Sequence, residues 1–312
     1  MKYPSVTFII PTLNAEKNLE KCLASIAKQD YPRDRFEVFV VDGESTDRTR
    51  EIAKKYNFRV IDNPKVDPES GKALGIKESM GEIIALLDSD NEIINRDWLK
   101  KMTFPIADNP NLFGVESEYF PKKGESIFNT YCMVIHIADP FSRMLAARLV
   151  KVRKKEYEEF TIPEGQSYPL GANGFLWNKK IINKIGLKSM FEESNFSFFV
   201  MQKGFRTFAR VPGYGIYHYH ISSFWGFVAK RLKIGGKFLN RKKEKKRTWL
   251  EGVSPFKFVY SVFFCLTFVG PFFESVWNLI KTRQSAWLLH PLMSFVSVLT
   301  YVYVYLKRYF RA

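Results

Sequence analysis

The chain opens on short, nearly continuous apolar runs, each followed by a stretch with helical spacing. That alternation limits the folds open to it. Val6-Thr7-Phe8-Ile9-Ile10 reads as a strand covered on both faces. Lys17 to Lys28 follows, with Leu19, Cys22, Leu23 and Ile26 on one helix face. Phe36 to Val41 is a second strand, Phe58 to Ile61 a short third, and Ile83 to Leu87 a fourth. Ser45-Thr46-Asp47 predicts a cap for a helix running to about Tyr56, and Gly71 to Met80 reads as another helix. The pattern predicts an α/β fold with a doubly wound, mainly parallel sheet. Such sheets bind ligands at the carboxyl ends of their strands. Asn14, Asp42 and Asp88 each follow a strand end, so the pattern gathers them in one crevice.

The fourth strand ends in Asp88-Ser89-Asp90. On an extended chain, residues i and i+2 point the same way, so both carboxylates face one hard cation. Such cations take oxygen ligands and share them with a substrate's phosphates. Asp-x-Asp is equally a common solvated turn, and its surroundings decide. The first strand-to-helix turn, Pro11 to Asn18, contains no glycine. That excludes both a dinucleotide fingerprint and a P-loop, which need glycine there. If this sheet binds a diphosphate, something else must neutralise the phosphates, and a cation on Asp88 and Asp90 would do so. Glu92 is a further candidate ligand or a loop acid. His218-Tyr219-His220 follows a predicted strand, which would put both imidazoles on one face. His218 or His220 then adds a ligand, or is an ordinary packed histidine.

Five segments occur in a recognisable order. They are Ile9-Ile10-Pro11-Thr12-Leu13-Asn14-Ala15-Glu16, Val40-Val41-Asp42-Gly43-Glu44-Ser45-Thr46-Asp47, Gly71-Lys72-Ala73-Leu74-Gly75-Ile76, Asp88-Ser89-Asp90, and Gly171-Ala172-Asn173-Gly174-Phe175-Leu176. Glu192-Glu193 follows, with Gly204-Phe205-Arg206 downstream. Together they resemble glycosyltransferase family 2, whose members have the GT-A fold, over roughly the first 220 residues. The family often has Asp-Asp-Gly-Ser after its second strand; here the residues are Asp42-Gly43-Glu44-Ser45. The family's Glu-Asp pair is Glu192-Glu193 here.

The resemblance implies roles. Pro11, Thr12, Asn14, Glu16, Asp42, Lys72, Asp88 and Ser89 would bind a nucleotide-diphosphate sugar, UDP- or GDP-linked. Asp88 and Asp90 would hold Mg2+ or Mn2+. Gly171, Ala172, Asn173 and Glu192 would line the sugar and acceptor pocket. Glu193 would be the general base and Asp90 the second catalytic residue in an inverting, one-step displacement. Glu192-Glu193 also suits the start of a helix, where the macrodipole favours acids.

Charge divides the chain. The net charge is +16, yet residues 1–200 hold 29 Lys/Arg and 29 Asp/Glu. Residues 201–312 hold 19 Lys/Arg and three acids. A basic block suits nucleic acid or an anionic membrane. The apolar segments beside it favour the membrane, and no nucleic-acid partner is expected. Phe224 to Ile234 interleaves aromatic and aliphatic residues with lysines and predicts an interfacial amphipathic helix ending near Gly235-Gly236. The alternative is a core-facing helix with a solvated basic side. Phe256 to Ile280 is apolar but broken by Lys257, Pro271 and Glu274; Ser285 to Leu306 carries no formally charged side chain. About 20 apolar residues span a bilayer, so the pair reads as a transmembrane helical hairpin.

Three segments result: a catalytic GT-A domain over 1–220, a basic amphipathic segment over 221–250, and a membrane hairpin over 251–312. The chain opens directly into its first strand, so no signal peptide is expected. Three scattered cysteines suit a reducing compartment. The expected location is the cell membrane, with the catalytic domain cytoplasmic. The expected activity is metal-dependent inverting transfer of a sugar to a lipid-linked glycan of polyprenyl or dolichyl type. The alternatives are a polyprenyl-phosphate sugar synthase and a catalytically silent nucleotide-binding scaffold.

Overall fold

The computed structural model describes residues 3–136, 139–187, 190–243 and 248–310. In chain order the elements begin with β1 (Val6–Thr12), α1 (Glu16–Ala27), β2 (Phe36–Asp42), α2 (Thr49–Lys55), β3 (Arg59–Asp62) and α3 (Pro68–Glu78). Next come β4 (Ile83–Leu86), β5 (Asn91–Ile93), α4 (Trp98–Asp108), β6 (Gly114–Tyr119), α5 (Ile127–Val134) and α6 (Pro140–Leu145). Then follow β7 (Val150–Arg153), β8 (Glu158–Thr161), β9 (Phe175–Asn178), α7 (Lys179–Ile185), α8 (Glu193–Gln202) and β10 (Thr207–His218). The chain closes with α9 (Phe224–Lys243), α10 (Pro255–Leu266), α11 (Val269–Thr282) and α12 (His290–Tyr309).

The chain forms two compact units. The first holds residues 1–118, 148–164 and 168–218; the second holds 119–147, 165–167 and 219–312. Residues 119–147 thus cluster with the later helices.

The first unit is built on a mixed ten-stranded sheet in the order β3-β2-β1-β4-β9-β6-β10-β8-β7, with β5 on β10. β3, β2, β1 and β4 are parallel. The pairs β4–β9, β9–β6, β10–β8 and β8–β7 are antiparallel. The parallel run expected from the sequence is therefore one half of the sheet. Every residue of β1 is buried, which is why its apolar run does not alternate. The chain leaves β1 toward β2 and β3, then returns to lay β4 on the other side. Open α/β sheets bind ligands at such a reversal, here at the carboxyl ends of β1 and β4. Residues 150–161 form the hairpin β7–β8. The helix expected after Ser45 starts later, at Thr49, whose backbone N–H donates to Asp47.

The second unit is helical, and it corrects two expectations. First, α9 does not stop at Gly235-Gly236 but runs on to Lys243. Gly235 lies against the Tyr301 ring, where an added Cβ would be 3.1 Å from Cδ1. The glycine serves close packing on α12. Phe227 and Arg231 are also buried, so one side of α9 faces the core, as in the alternative reading. Second, the first leg of the hairpin is not one helix. α10 and α11 meet at 77°. Phe268 takes a left-handed φ of 60°, and Pro271 follows Gly270 with no N–H to continue the helix. Ser285–Tyr309 is long and apolar enough to cross a membrane, and 39% of its apolar window lies inside the fold. The basic run 244–247 lies outside the described residues.

Candidate active site

Strand ends deliver the first residues. Thr12 and Asp42 are paired at the ends of β1 and β2. Asp42 is fully buried and accepts from Thr12 Oγ1 (3.1 Å), Ser45 Oγ (2.6 Å), Ser45 N (3.1 Å) and Arg50 Nη1 (3.2 Å). Its carboxylate organises the loop, rather than standing open to a ligand. Pro11 is buried within β1. Asn14 adopts φ 48° and its Oδ1 accepts from Thr46 N at 2.9 Å. Glu16 accepts from Arg48 Nε at 3.2 Å. Asn14 and Glu16 thus tie the turn after β1 to the loop after β2. Sequence alone gave no sign of Arg50 as a partner of Asp42.

Asp88 and Asp90 lie beyond the end of β4, in a turn closed by Asn91 N donating to Asp88 O at 3.0 Å. The argument from extended-chain alternation does not apply there. Buried Asn91 fixes both acids instead: its Oδ1 accepts from Asp88 N (2.9 Å) and its Nδ2 donates to Asp90 Oδ1 (3.3 Å). The adjacent Asp-Asn dipeptide was the available sequence signal for this turn. Cys22 Sγ donates to the Asp88 carbonyl at 3.7 Å. Burial pushes its thiol pKa far up, with Asp90 and Asp88 adding, so Cys22 stays a neutral donor. Ser89 is half-buried in the same turn.

Lys72 joins this turn to the start of α8. It is 6% exposed and forms a short ion pair with Glu193, with Asp88 Oδ1 3.5 Å away. An added Cβ at Gly75 would meet Ile9 Cγ2 at 2.6 Å, so glycine lets α3 press onto β1 and fixes where Lys72 starts. Glu193 is buried, and desolvation raises its pKa; Lys72 opposes this, while Asp88 and Glu192 add to it. Burial works to lower the Lys72 pKa, but Asp88 and Glu193 outweigh it and the net shift is upward. The bridge across Lys72 was not foreseen, because the three residues are far apart in sequence.

Glu192 has a different task. Its Oε2 accepts from Asn195 N at 2.9 Å and caps α8. The helix-start reading of the acidic pair holds for this residue, while Glu193 turns inward. Gly171 adopts φ 112°, and an added Cβ there would lie 2.4 Å from Trp177 and 3.3 Å from the Glu193 Cβ. Only glycine fits. Ala172 and Asn173 are half-buried beside it.

Of the two histidines, His218 is buried with Nε2 3.4 Å from Asp90 Oδ1. β10 ends at His218, so His220 is not on the same strand face. The His220 ring is 2.6 Å from Lys230 Nζ within the second unit. Among the described residues, no three His, Cys, Asp or Glu side chains form a ready metal cage. The carboxylates of Asp88 and Asp90 are nevertheless the oxygen donors that a hard divalent cation takes, and such ions need only one or two when phosphates supply the rest. The donor set fits.

The family model for glycosyl transferase family 2 matches residues 7–186. Glycosyltransferase AglE of Haloferax volcanii is 37% identical over 104 residues, 31% of this chain and 34% of that protein. The match thus spans about a third of that relative's length. A Methanococcus voltae protein, dolichyl N-acetyl-alpha-D-glucosaminyl phosphate 3-beta-D-2,3-diacetamido-2,3-dideoxy-beta-D-glucuronosyltransferase, is 24% identical over 93% of this chain and 92% of its own. The solved structure of the mannosyltransferase PcManGT from Pyrobaculum calidifontis, in complex with GDP-Man and Mn2+, superposes with a TM-score of 0.58 at 15% identity. It covers 97% of this chain and 88% of that one, a likeness of fold. The sheet, the ordered motifs and the family match agree: the chain belongs to glycosyl transferase family 2 and has the GT-A fold.

Proposed function

We propose that the chain is a membrane-attached, inverting, metal-dependent glycosyltransferase that moves a sugar from a UDP- or GDP-linked donor to a lipid-linked glycan. The observation that carries this reading is Glu193, buried yet joined through Lys72 to the Asp88–Asp90 turn. The name of the Methanococcus voltae relative supports a lipid-linked acceptor. The family match and the strand-end crevice support the donor class.

Glu193 accepts the proton of the acceptor hydroxyl. The hydroxyl oxygen forms a bond to the anomeric carbon as the bond to the nucleoside diphosphate breaks, and the electron pair leaves with the phosphate. Burial makes Glu193 a stronger base than an exposed carboxylate, and Lys72 keeps it aligned and limits that rise. Asp88 and Asp90, with His218 beside them, would hold Mg2+ or Mn2+. The cation would supply Lewis-acid stabilisation of the leaving diphosphate. Thr12, Asp42, Asn14 and Glu16 shape the loops that receive the nucleotide.

A lipid-phosphate acceptor has no hydroxyl proton to give, so a sustained base at Glu193 favours the glycan acceptor. A silent scaffold would have no use for a buried carboxylate joined to two half-buried ones. The excess of Lys and Arg in the last third supports attachment to an anionic leaflet. The test is a transfer screen with UDP- and GDP-sugars in Mg2+ or Mn2+. Product should form, vanish with EDTA, and fall roughly 10²–10⁴-fold in Glu193→Gln with donor binding kept. Full activity of that variant in EDTA would remove both assignments.

A further inference from the structure

The second unit carries its apolar side chains outward. On α10, Phe256, Val259, Tyr260 and Phe263 recur on one helix face, and all are exposed, Phe256 at 82%. The buried residues of that helix are Ser261 and Cys265. On α11, Val269, Phe272, Phe273, Trp277 and Ile280 make a matching stripe, Trp277 at 69% and Ile280 at 73%. Pro271 and Ser275 face inward there. A helix in water shows the reverse pattern, and exposed apolar stripes of this extent mark an interaction surface.

Neither helix can cross a bilayer. Their 12 and 14 residues span about 18 and 21 Å, against a hydrocarbon core of about 30 Å. They meet at a 77° bend, the geometry of a re-entrant pair rather than of one straight span. α12 is long enough, but one side of it is held against protein from its start to its end. His290, at its start, contacts Tyr131 of α5 (2.8 Å) and Glu274 of α11 (3.1 Å). Tyr301 donates to Asp139, the cap of α6, at 2.8 Å. Gly235 of α9 meets Tyr301 and Val304, and Asn240 of α9 accepts from Arg308. Arg231 of α9 pairs with the same Asp139 (3.0 Å). These contacts advance together along α9 and α12, so the two helices run side by side in one direction. α9 exposes Lys233 and Lys237. Exposed charged side chains are costly at hydrocarbon depth, and α12 shares the level of these two.

We propose that this unit is seated in one leaflet of an anionic membrane, with α10 and α11 submerged and no helix crossing. Charge complementarity identifies the partner. Lys233, Lys237, Lys281, Arg283 and Lys307 are all exposed on the same unit as the aromatic stripes. Basic groups beside Trp and Phe suit a helix lying at the headgroup boundary. The inference rests on the membrane attachment proposed above, and not on sugar transfer.

The test is topological and needs no activity. Thr282→Cys, Tyr309→Cys and, as a reporter on the first unit, Glu156→Cys are each introduced into the full chain; the three native cysteines are buried. A membrane-impermeant maleimide is added to spheroplasts and to sealed inside-out vesicles. All three sites should label from the cytoplasmic side only. Thr282→Cys and Tyr309→Cys labelling from opposite sides would overturn the proposal, while leaving membrane attachment intact. In reconstituted phosphatidylcholine–phosphatidylglycerol vesicles, lipids brominated near the headgroup should quench Trp fluorescence, and Trp277→Leu should remove part of the quenching. A chain that stays out of the membrane fraction and sediments as a dimer would show that a second copy covers the stripes, which defeats both the inference and the attachment.

Discussion

Lys72 is the residue on which the site turns, because one buried ammonium serves two carboxylates on different elements. Lys72→Met should leave Glu193 buried without its cation. Desolvation already raises the Glu193 pKa and Lys72 restrains it, so the acid limb of kcat/KM should move to higher pH. A profile that stays in place would show that Glu193 is not the titrating base. The same pair has a signature in stability. The folded pKa of Lys72 is raised, so its contribution is complete below the ordinary ammonium value of about 10.4 and is lost as pH rises through the folded value. The difference in denaturation midpoint between wild type and Lys72→Met should therefore persist at neutral pH and shrink only in strong alkali.

At the scale of elements, α8 separates two neighbouring acids by geometry. Glu192 stands at the N-cap, where its carboxylate takes a backbone N–H, and Glu193 begins the first turn facing inward. Glu192→Ala should cost about 0.5–2 kcal/mol of stability through the lost cap. Turnover per folded molecule should change little, in contrast to Glu193→Gln. Loss of turnover in Glu192→Gln with Glu193→Gln still active would place the base one residue earlier. The Asp88–Asp90 turn follows the same logic. Asn91, not strand alternation, aims its acids, so the geometry of the proposed metal site belongs to a loop held by a buried amide.

At the scale of the whole molecule, the second unit is organised around buried charge. Asp139 caps α6 and also receives Arg231 from α9 and Tyr301 from α12. Glu274 takes Arg143 and His290. Removing one member of a buried pair strands the other, which typically costs about 3–5 kcal/mol. Asp139→Ala should therefore destabilise the helical unit by that order, read as a lowered melting temperature. Replacing both Asp139 and Arg231 with apolar residues should recover part of the loss. No recovery would mean that Asp139 acts mainly as the cap.

The sequence by itself determined the sheet's parallel half, the order of motifs and the acids at the strand ends. Uninterrupted apolar runs such as Val6 to Ile10 can only be satisfied by burial on both faces, and that is a local signal. It also showed the imbalance of charge in the last third. It did not show the antiparallel part, because β9 pairs with β4 and β6, and β10 with β8, across long separations that no local period records. It did not show the four donors that hold Asp42, and it read α10 and α11 as one helix. Only the tertiary structure placed Lys72 between Asp88 and Glu193, since a side chain's partner 121 positions away is chosen by packing. It alone decided that α9 lies along α12 with Arg231 inward. Composition fixes how much basic and apolar surface a chain has, whereas the face on which each is spent depends on which helices meet.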